Sequence, residues 1–368
     1  MTSPAPPSKF RRRALFLLQV LLYVGTGILQ PLIVDRLRMT QCLGRQTLLL
    51  PTLVKTAGMA LVGLLSTAAE RDGFRRRLRN DRELRRFLLS VAAVDLSSGM
   101  LLTGGLFLTG AGTFVVLYNS TPAWTALLSK YFLGRSLATK QTVGVTLVCV
   151  GLIVNVVGTT EQLSHSETAA AQAALGSLIT LVGCVLHAAF FVLSDRSLRG
   201  KNNDAADAQI PPTLWSSCLG SVEMTVMSVY VAAGIGTRGF QPEGTAPDAC
   251  TLADLRTGLG LMLLVDALHS AAFFLLMRRV GAVGSALLKG TQSVAVVLLS
   301  AAFSCPREEA QCLTPAKGAS VGLVVGGTLL YAAASSPPPC EDGPGRRGNS
   351  EARGSPRPSL EMESFVGT

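Results

Sequence analysis

Apolar segments of about 20 residues recur along almost the whole chain, and each is long enough to cross the roughly 30 Å hydrocarbon core of a bilayer as a helix. Only 15% of the residues are charged, against roughly 25% in soluble domains. The sequence therefore predicts an all-α polytopic membrane protein. Its ten predicted transmembrane helices cover residues 14–34, 47–69, 87–108, 110–132, 138–157, 173–195, 212–235, 256–278, 281–304 and 317–334. Glycines within or beside the third, fourth and tenth of these leave a count of eight or nine open.

The basic residues indicate how the chain is oriented in the membrane. With the N-terminus in the cytosol, the cytosolic segments contain 23 of the 33 Lys and Arg residues, as the positive-inside rule requires. This asymmetry accounts for the net charge of +10, so we expect the lipid bilayer, and no nucleic acid, as a partner. The Arg-rich run 75–86 has a second interpretation, which is attraction to anionic lipid head groups.

Two pairs of similar segments indicate an internal repeat. The sequence LLSKYF at 127–132 resembles LLSAAF at 298–303, at an offset of 171 residues, and a second pair of helical segments matches at an offset of 176. Five helices followed by five equivalent helices must enter the membrane in opposite orientations, which is typical of transporters. We therefore predict a cytosolic N-terminus (1–13), a first five-helix repeat (14–157), a luminal linker (158–172), a second inverted five-helix repeat (173–334) and a disordered cytosolic tail (335–368).

A lysine lies inside the ninth predicted span, at a depth where a charge is expensive and therefore indicates function. At the 171-residue offset, this residue, Lys289, corresponds to Tyr118 of the fourth span. Ser285 and Gln292 share a helix face with Lys289, and Asn119 follows Tyr118. Polar stripes on apolar helices are expected for the walls of a water-filled cavity. We therefore predict that these five residues bind the substrate.

Other ionisable residues also lie within predicted spans. Asp266 and His269 are three residues apart, so a helix places them on one face, and Lys55 and Asp95 carry opposite charges. The sequence leaves two interpretations open. Together with Glu223 these residues form a proton or charge relay, or they are polar contacts that only hold helices together.

Patterns typical of catalysis or metal binding are absent from the sequence. Its three histidines and its loops contain no convincing ligand cluster, so we expect no enzyme activity, no cofactor and no metal site. Cys305 and Cys312 close a short loop on the predicted luminal side, where an oxidising compartment allows a disulfide. Pairing of either residue with Cys250, or two free thiols, are the alternatives.

The tenth predicted span has a face of small residues. Gly318, Gly322 and Gly326 recur at steps of four residues, a spacing that allows close contact between helices. The face could pack against another helix of the same chain or form a homodimer.

The sequence resembles the drug/metabolite transporter superfamily. The resemblance covers residues 14–334 and is strongest at 110–157 and 281–334, around LYNSTPAWTALLSKYFLGRSLATKQTVGVTLVCVGLIV. Within the superfamily, SALLK at 285–289 is similar to the GALNK motif of Golgi GDP-mannose transporters, with Ser in place of Gly and Leu in place of Asn. The FYNN motif of those transporters has no counterpart at 212–235, which argues against GDP-mannose itself.

This resemblance implies a transporter that works by alternating access around a site near the middle of the membrane. The expected substrate is a nucleotide-sugar or a related anionic organophosphate, and the expected location is the Golgi or another endomembrane. Transport of amino acids, peptides or drugs, as in proteins similar to the chloroquine-resistance transporter, is the alternative within the superfamily. A polytopic lipid-modifying enzyme is the alternative from another class.

Overall fold

The computed structural model describes residues 9–40, 42–43, 49–133, 138–162, 167–199, 210–238, 251–305 and 312–335. Within these ranges the chain is helical and contains no strand, as the sequence predicts. The described helices belong to one compact unit within Met1–Ser335. The predicted disordered tail lies outside the described residues, apart from Ser335.

Ten α-helices and one 3₁₀-helix are present among the described residues. They are α1 (Lys9–Met39), α2 (Leu50–Leu61), a 3₁₀-helix (Val62–Leu65), α3 (Ala68–Asn80), α4 (Arg82–Tyr118), α5 (Thr121–Leu133), α6 (Thr139–Gln162), α7 (Glu167–Arg199), α8 (Pro212–Arg238), α9 (Leu252–Ser304) and α10 (Pro315–Ser335). The predicted linker 158–172 is largely helical, because α6 ends at Gln162 and α7 begins at Glu167.

Several of these helices have the length and composition of membrane spans. Among the described residues, four helices are long and apolar enough to cross a membrane, and the bent pair Leu50–Leu65 and Ala68–Asn80 makes a fifth only if it is counted as one span. Large apolar side chains such as Leu21 and Leu64 are 69% and 70% exposed, as expected where the surrounding solvent is lipid. The number of ten membrane crossings stays a prediction.

Two glycines break the longest helices at equivalent places. Gly110 divides α4 and Gly281 divides α9, with φ angles of 71° and 79°. Residues with a Cβ atom rarely adopt such angles, and glycine does so without steric cost. The two breaks are 171 residues apart, which is the offset of the first pair of similar segments. They lie where the sequence separates the third span from the fourth and the eighth from the ninth.

The packing of the helices follows the same equivalence. The main helix contacts are α2 with α8, α6 with α10, α1 with α9, and α4 with α7. If α1, α2, α4 and α6 are exchanged for α7, α8, α9 and α10, the first two contacts map onto themselves and the last two map onto each other. This pattern is expected for two halves related by a pseudo-two-fold axis, and we propose that the chain consists of such a repeat.

The crossing of α6 and α10 depends on backbones that touch. A Cβ atom added to Gly144 would lie 2.6 Å from the carbonyl oxygen of Gly327, and one added to Gly327 would lie 2.5 Å from that of Gly144. Nearby, the hydroxyl of Ser320 donates a hydrogen bond of 2.7 Å to the carbonyl oxygen of Gly151. The 176-residue offset carries Gly144 onto Ser320 and Gly151 onto Gly327, so the two contacts are equivalent.

The small-residue face at Gly318, Gly322 and Gly326 is not part of this crossing. Among the described residues, a Cβ atom added to any of the three would have no heavy-atom neighbour within 4 Å. The expectation that this face packs against another helix of the same chain is therefore wrong, because α10 turns its other side, with Gly327, towards α6. A homodimer through the exposed face stays a prediction.

The Arg-rich run folds into α3 and the beginning of α4. The bend between the α2 segment and α3 is 117°, so α3 does not continue α2 across the membrane. A capping box between Thr67 and Glu70 begins α3. Hydrogen bonds from the backbone N–H and the hydroxyl of Thr67 lower the pKa of the Glu70 carboxyl. Phe74 anchors the helix in the core, being 6% exposed.

Between the ninth and tenth predicted spans, a disulfide joins Cys305 and Cys312, whose Cα atoms are 4.5 Å apart. Cys42 is also disulfide-bonded. Three other cysteines, Cys149, Cys184 and Cys218, are free thiols. The disulfide-bonded residues all fall on the side predicted to be luminal, while the free thiols fall within predicted spans.

Candidate substrate cavity

A cavity of about 160 Å³ lies between α1, α2, α4, α7 and α9. Its polar lining includes Gln30, Lys55, Asp95, Tyr118, His187, Asp266, His269, Lys289 and Gln292. The cavity is lined by helices of both predicted repeats, as expected for a site at the interface between them. All nine of these polar residues lie within predicted spans, so polar groups of several spans converge here.

Lys289 lies against Tyr118, its equivalent in the predicted repeat. The ammonium group of Lys289 donates a hydrogen bond to the hydroxyl of Tyr118. It also lies 4.5 Å from the centre of the Tyr118 ring and 5.4 Å from that of Phe191, within the range of cation–π attraction. Although Lys289 is only 9% exposed, it faces the cavity. Both residues therefore occupy the place that the repeat predicts.

His187 of α7 connects Lys289 to a carboxylate. Its Nε2 atom is 3.2 Å from the Nζ atom of Lys289, and its Nδ1 atom is 3.7 Å from Oδ1 of Asp95 and 3.5 Å from the hydroxyl of Ser98. An ammonium group can only donate hydrogen bonds. The Nε2 atom therefore accepts from Lys289, and the ring proton resides on Nδ1 and points towards Asp95.

Asp95 is shared between His187 and Lys55. The Nζ atom of Lys55 lies 3.4 Å from both carboxylate oxygens of Asp95. The Lys55 side chain is 29% exposed, while that of Asp95 is 1% exposed. Lys55, Asp95, His187 and Lys289 thus form a continuous polar chain from α2 through α4 and α7 to α9. The sequence left open whether these residues form a relay or only hold helices together. This geometry is compatible with both interpretations.

Asp266 and His269 each contact α1. The amide of Gln30 donates a hydrogen bond to Oδ1 of Asp266, and the hydroxyl of Thr26 is 3.0 Å from Nδ1 of His269. Among the described residues, Oδ2 of Asp266 has no hydrogen-bond partner. Asp266 and His269 share a face of α9, as their spacing predicts, and both bond to α1 because α1 packs along this face.

Three residues predicted for the site are buried beside the cavity rather than in its lining. Ser285 and Asn119 are 0% and 3% exposed, and each has a side-chain oxygen without a hydrogen-bond partner in the described part of the chain. Glu223 on α8 is 1% exposed, and within the same part of the chain neither of its carboxylate oxygens has such a partner. This placement does not support a direct substrate contact for Ser285 or Asn119.

Gln292 closes the cavity against α1. Its amide donates a hydrogen bond of 3.1 Å to the carbonyl oxygen of Tyr23. A Cβ atom added to Gly27 would lie 2.4 Å from the Gln292 amide atoms, so only a residue without a side chain lets Gln292 approach α1 so closely. Gln292 is thus fixed by the protein, and its predicted role in substrate binding remains a prediction.

Aromatic rings form one wall of the cavity. The ring centres of Tyr118 and His187 are 5.5 Å apart, those of His187 and Phe190 are 5.6 Å apart, and those of Phe190 and Phe273 are 6.1 Å apart. Tyr23 extends the series at 5.9 Å from Phe273. These distances suit aromatic pairing, and the wall gives Lys289 a largely apolar surrounding.

His187 and Gln30 line this cavity, although neither residue was predicted for the site from the sequence. The position of His187 within an apolar span was a valid signal, because ionisable groups in spans face the interior of a bundle or a cavity. Its two contacts depend on how α7 packs against α4 and α9, and no residue on α7 itself predicts them. Among the described residues, no group of three or more His, Cys, Asp or Glu side chains could hold a metal ion.

The fold and the cavity define this protein as an α-helical, multi-pass membrane protein with a buried polar site between two sets of helices. Residues 14–157 match the sequence model of the EamA-like transporter family. The match coincides with the predicted first repeat and confirms the resemblance to the drug/metabolite transporter superfamily. The match covers less than half of the 368 residues, so membrane transport of small molecules is what it suggests for this chain and is taken up as a proposal.

Other comparisons add little. One solved crystal structure, described only as that of a protein, has a TM-score of 0.49 and 18% sequence identity, with 86% of this chain and 99% of the other chain covered. A similarity of this strength carries no conclusion about function. No curated protein matches the sequence.

Proposed function

We propose that the protein transports a compact organic anion, with Lys289 as the residue that binds its carboxylate or phosphate. The observation that carries this proposal is a buried lysine in the lining of a cavity between the two predicted halves. A lysine binds such a group as a point charge, and the charge of the substrate offsets the cost of burying the ammonium. The halves would then rock around the site and expose it alternately to the two sides of the membrane.

The size of the cavity favours a small anion over a nucleotide-sugar. At about 160 Å³, the cavity is smaller than the roughly 300–1,000 Å³ of typical small-molecule pockets. A nucleotide-sugar would fit only if the helices moved apart, whereas a small organic acid would not require this. The GALNK-like segment nevertheless supports a nucleotide-sugar as a substrate to be tested.

Asp266 favours a second candidate, an amino acid. Its carboxylate lines the same cavity as Lys289, and its Oδ2 atom lacks a hydrogen-bond partner among the described residues. A zwitterion could place its carboxylate at Lys289 and its ammonium group at Asp266. Such a substrate would be affected by substitution of either residue, and a simple anion only by substitution of Lys289.

The test is uptake of radiolabelled pyruvate, glutamate and UDP-galactose into proteoliposomes that contain the purified full-length chain. Lys289→Ala should reduce uptake of the transported compound by about 10- to 100-fold, because a hydrogen bond to a charged group contributes about 1.5–3 kcal/mol. Lys130→Ala is the matched control, since Lys130 is an exposed lysine outside the cavity lining. Full activity of a stable Lys289→Ala protein, or no uptake of any of the three compounds, would contradict the proposal.

The Cys305–Cys312 disulfide agrees with an oxidising compartment on the side predicted to be luminal, because disulfides persist in such compartments. The Golgi is the organelle proposed from the resemblance to nucleotide-sugar transporters. Fluorescence microscopy of a tagged chain with Golgi and plasma-membrane markers tests this location.

A further inference from the structure

We propose that His187 takes up one proton from the cavity when an anion binds at Lys289, so that the anion and a proton cross the membrane together. This inference rests on the proposed transport of an anion. It assigns a role to a residue that the binding site does not otherwise require. It also makes the protein a proton–anion cotransporter.

The position of His187 between two opposite charges carries the inference. Its Nδ1 atom faces the carboxylate of Asp95 at 3.7 Å, and its Nε2 atom faces the ammonium of Lys289 at 3.2 Å. Asp95 favours a positive charge on the imidazole, while Lys289 opposes it and also occupies the Nε2 lone pair. The imidazole therefore stays neutral as long as the ammonium of Lys289 points at it.

Anion binding changes both of these conditions. The negative charge of the anion compensates that of Lys289 and draws the ammonium towards the cavity. The Nε2 lone pair is then free to accept a proton from water in the cavity, and Asp95 remains at Nδ1 to stabilise the imidazolium. When the anion leaves on the other side, the ammonium returns to Nε2 and the proton is released there. No covalent bond to carbon forms or breaks.

Other groups near His187 fit this sequence of events. The Nζ atom of Lys55 lies 3.4 Å from both carboxylate oxygens of Asp95. Asp95 is thus paired with one lysine, while its Oδ1 atom also faces the imidazole at 3.7 Å. Phe190 and Phe191 pack against the ring and keep it in place. Among the described residues, the titratable or charged groups that face or act on His187 are Asp95 and Tyr118 on α4, Lys55 on α2, and Lys289 and His269 on α9.

The experiment is titration calorimetry of the purified full-length chain with pyruvate, glutamate and UDP-galactose at about pH 6.5, where histidine exchanges protons readily. Each titration is made in two buffers with different ionisation enthalpies, and the difference in heat gives the number of protons taken up per anion. None of the three compounds itself exchanges a proton near this pH. We expect uptake of about one proton with the wild-type protein.

Two variants separate His187 from other sources of protons. His187→Gln keeps an acceptor for Lys289 and a donor for Asp95 but cannot take up a proton, so binding should persist and the proton count should fall to about zero. His165→Gln is the control, because His165 lies in the predicted linker 158–172, outside the predicted spans, and it should retain the count. Both variants are checked for a single symmetric peak in size-exclusion chromatography.

The outcomes distinguish this inference from the proposed function. Wild-type protein that binds an anion without proton uptake would overturn the inference and leave anion transport intact. The same is true if a folded His187→Gln protein still takes up a proton. If the wild-type protein binds none of the three compounds, the proposed function and the inference fall together. The wild-type titration decides the question even if His187→Gln does not fold.

Discussion

The close packing of α6 against α10 can be tested by adding one methyl group at their crossing. Gly327→Ala would place a Cβ atom 2.5 Å from the carbonyl oxygen of Gly144, with further contacts at 3.0 Å to Leu147 and Val148. Backbone atoms cannot rotate away, so the two helices must separate. Gly322→Ala on the same helix has no heavy atom within 4 Å of the new Cβ and serves as the matched control.

The difference between these two variants measures the steric cost. Both gain helix propensity by the replacement of glycine, about 0.5–1 kcal/mol, and this gain cancels in the comparison. Overpacking of a well-packed interface costs about 1–3 kcal/mol. At about 2–4 °C per kcal/mol, Gly327→Ala should melt about 2–12 °C below Gly322→Ala. Gly144→Ala should behave like Gly327→Ala, since its Cβ would lie 2.6 Å from the carbonyl oxygen of Gly327.

The assay is the apparent melting temperature of the detergent-purified variants, followed by the loss of the monodisperse peak after heating. Unfolding of membrane proteins is often irreversible, so all variants are heated at one rate for one time. Equal melting temperatures for Gly327→Ala and Gly322→Ala would refute the packing described for α10. A lower value for Gly322→Ala alone would show that the face with Gly318 and Gly326 is the packed one.

The remaining predictions concern topology and the disulfide. Both termini and α3 should lie on one side of the membrane and segment 159–172 on the other. Labelling of introduced cysteines by a membrane-impermeant reagent in sealed vesicles tests this, and termini on opposite sides would exclude an even number of spans and the inverted repeat with it. Cys305→Ser should lower stability by about 2–3 kcal/mol, the chain-entropy value for a loop of this length. Mass spectrometry of the unreduced wild-type protein should find Cys305 and Cys312 blocked to alkylation, and two reactive thiols there would contradict the pairing.

The positions of the helices could be predicted from the sequence, because hydropathy and length decide where a chain can enter a bilayer. Among the described residues each predicted span is mostly helical, and Gly110 and Gly281 mark the boundaries between the third and fourth and between the eighth and ninth spans. The sequence repeat also suggested that Lys289 and Tyr118 lie near each other. Equivalent positions in a two-fold repeat lie at similar depths, and those that face the axis can meet there, so the 171-residue offset suggested a shared cavity for both residues.

The contacts within the site could not be predicted in the same way. Asp266 and His269 share a helix face, but their hydrogen bonds go to Gln30 and Thr26 on α1, because a side chain in an apolar bundle bonds to whichever polar group the neighbouring helix presents. His187 illustrates the same point. Its position in an apolar span marked it as unusual, and only the packing of α7 against α4 and α9 places it between Asp95 and Lys289.

The tenth span shows most clearly what the sequence alone cannot predict, which is the face of a helix that packs against its neighbour. Its sequence contains two faces with small residues, one with Gly318, Gly322 and Gly326 and one with Ser320 and Gly327. Both allow close approach of a helix, and local sequence does not distinguish them. The chain by itself determined that α10 is a helix with a small-residue surface, whereas the fit of Gly327 against Gly144 on α6 decided which surface is buried, because close packing is a property of two helices together.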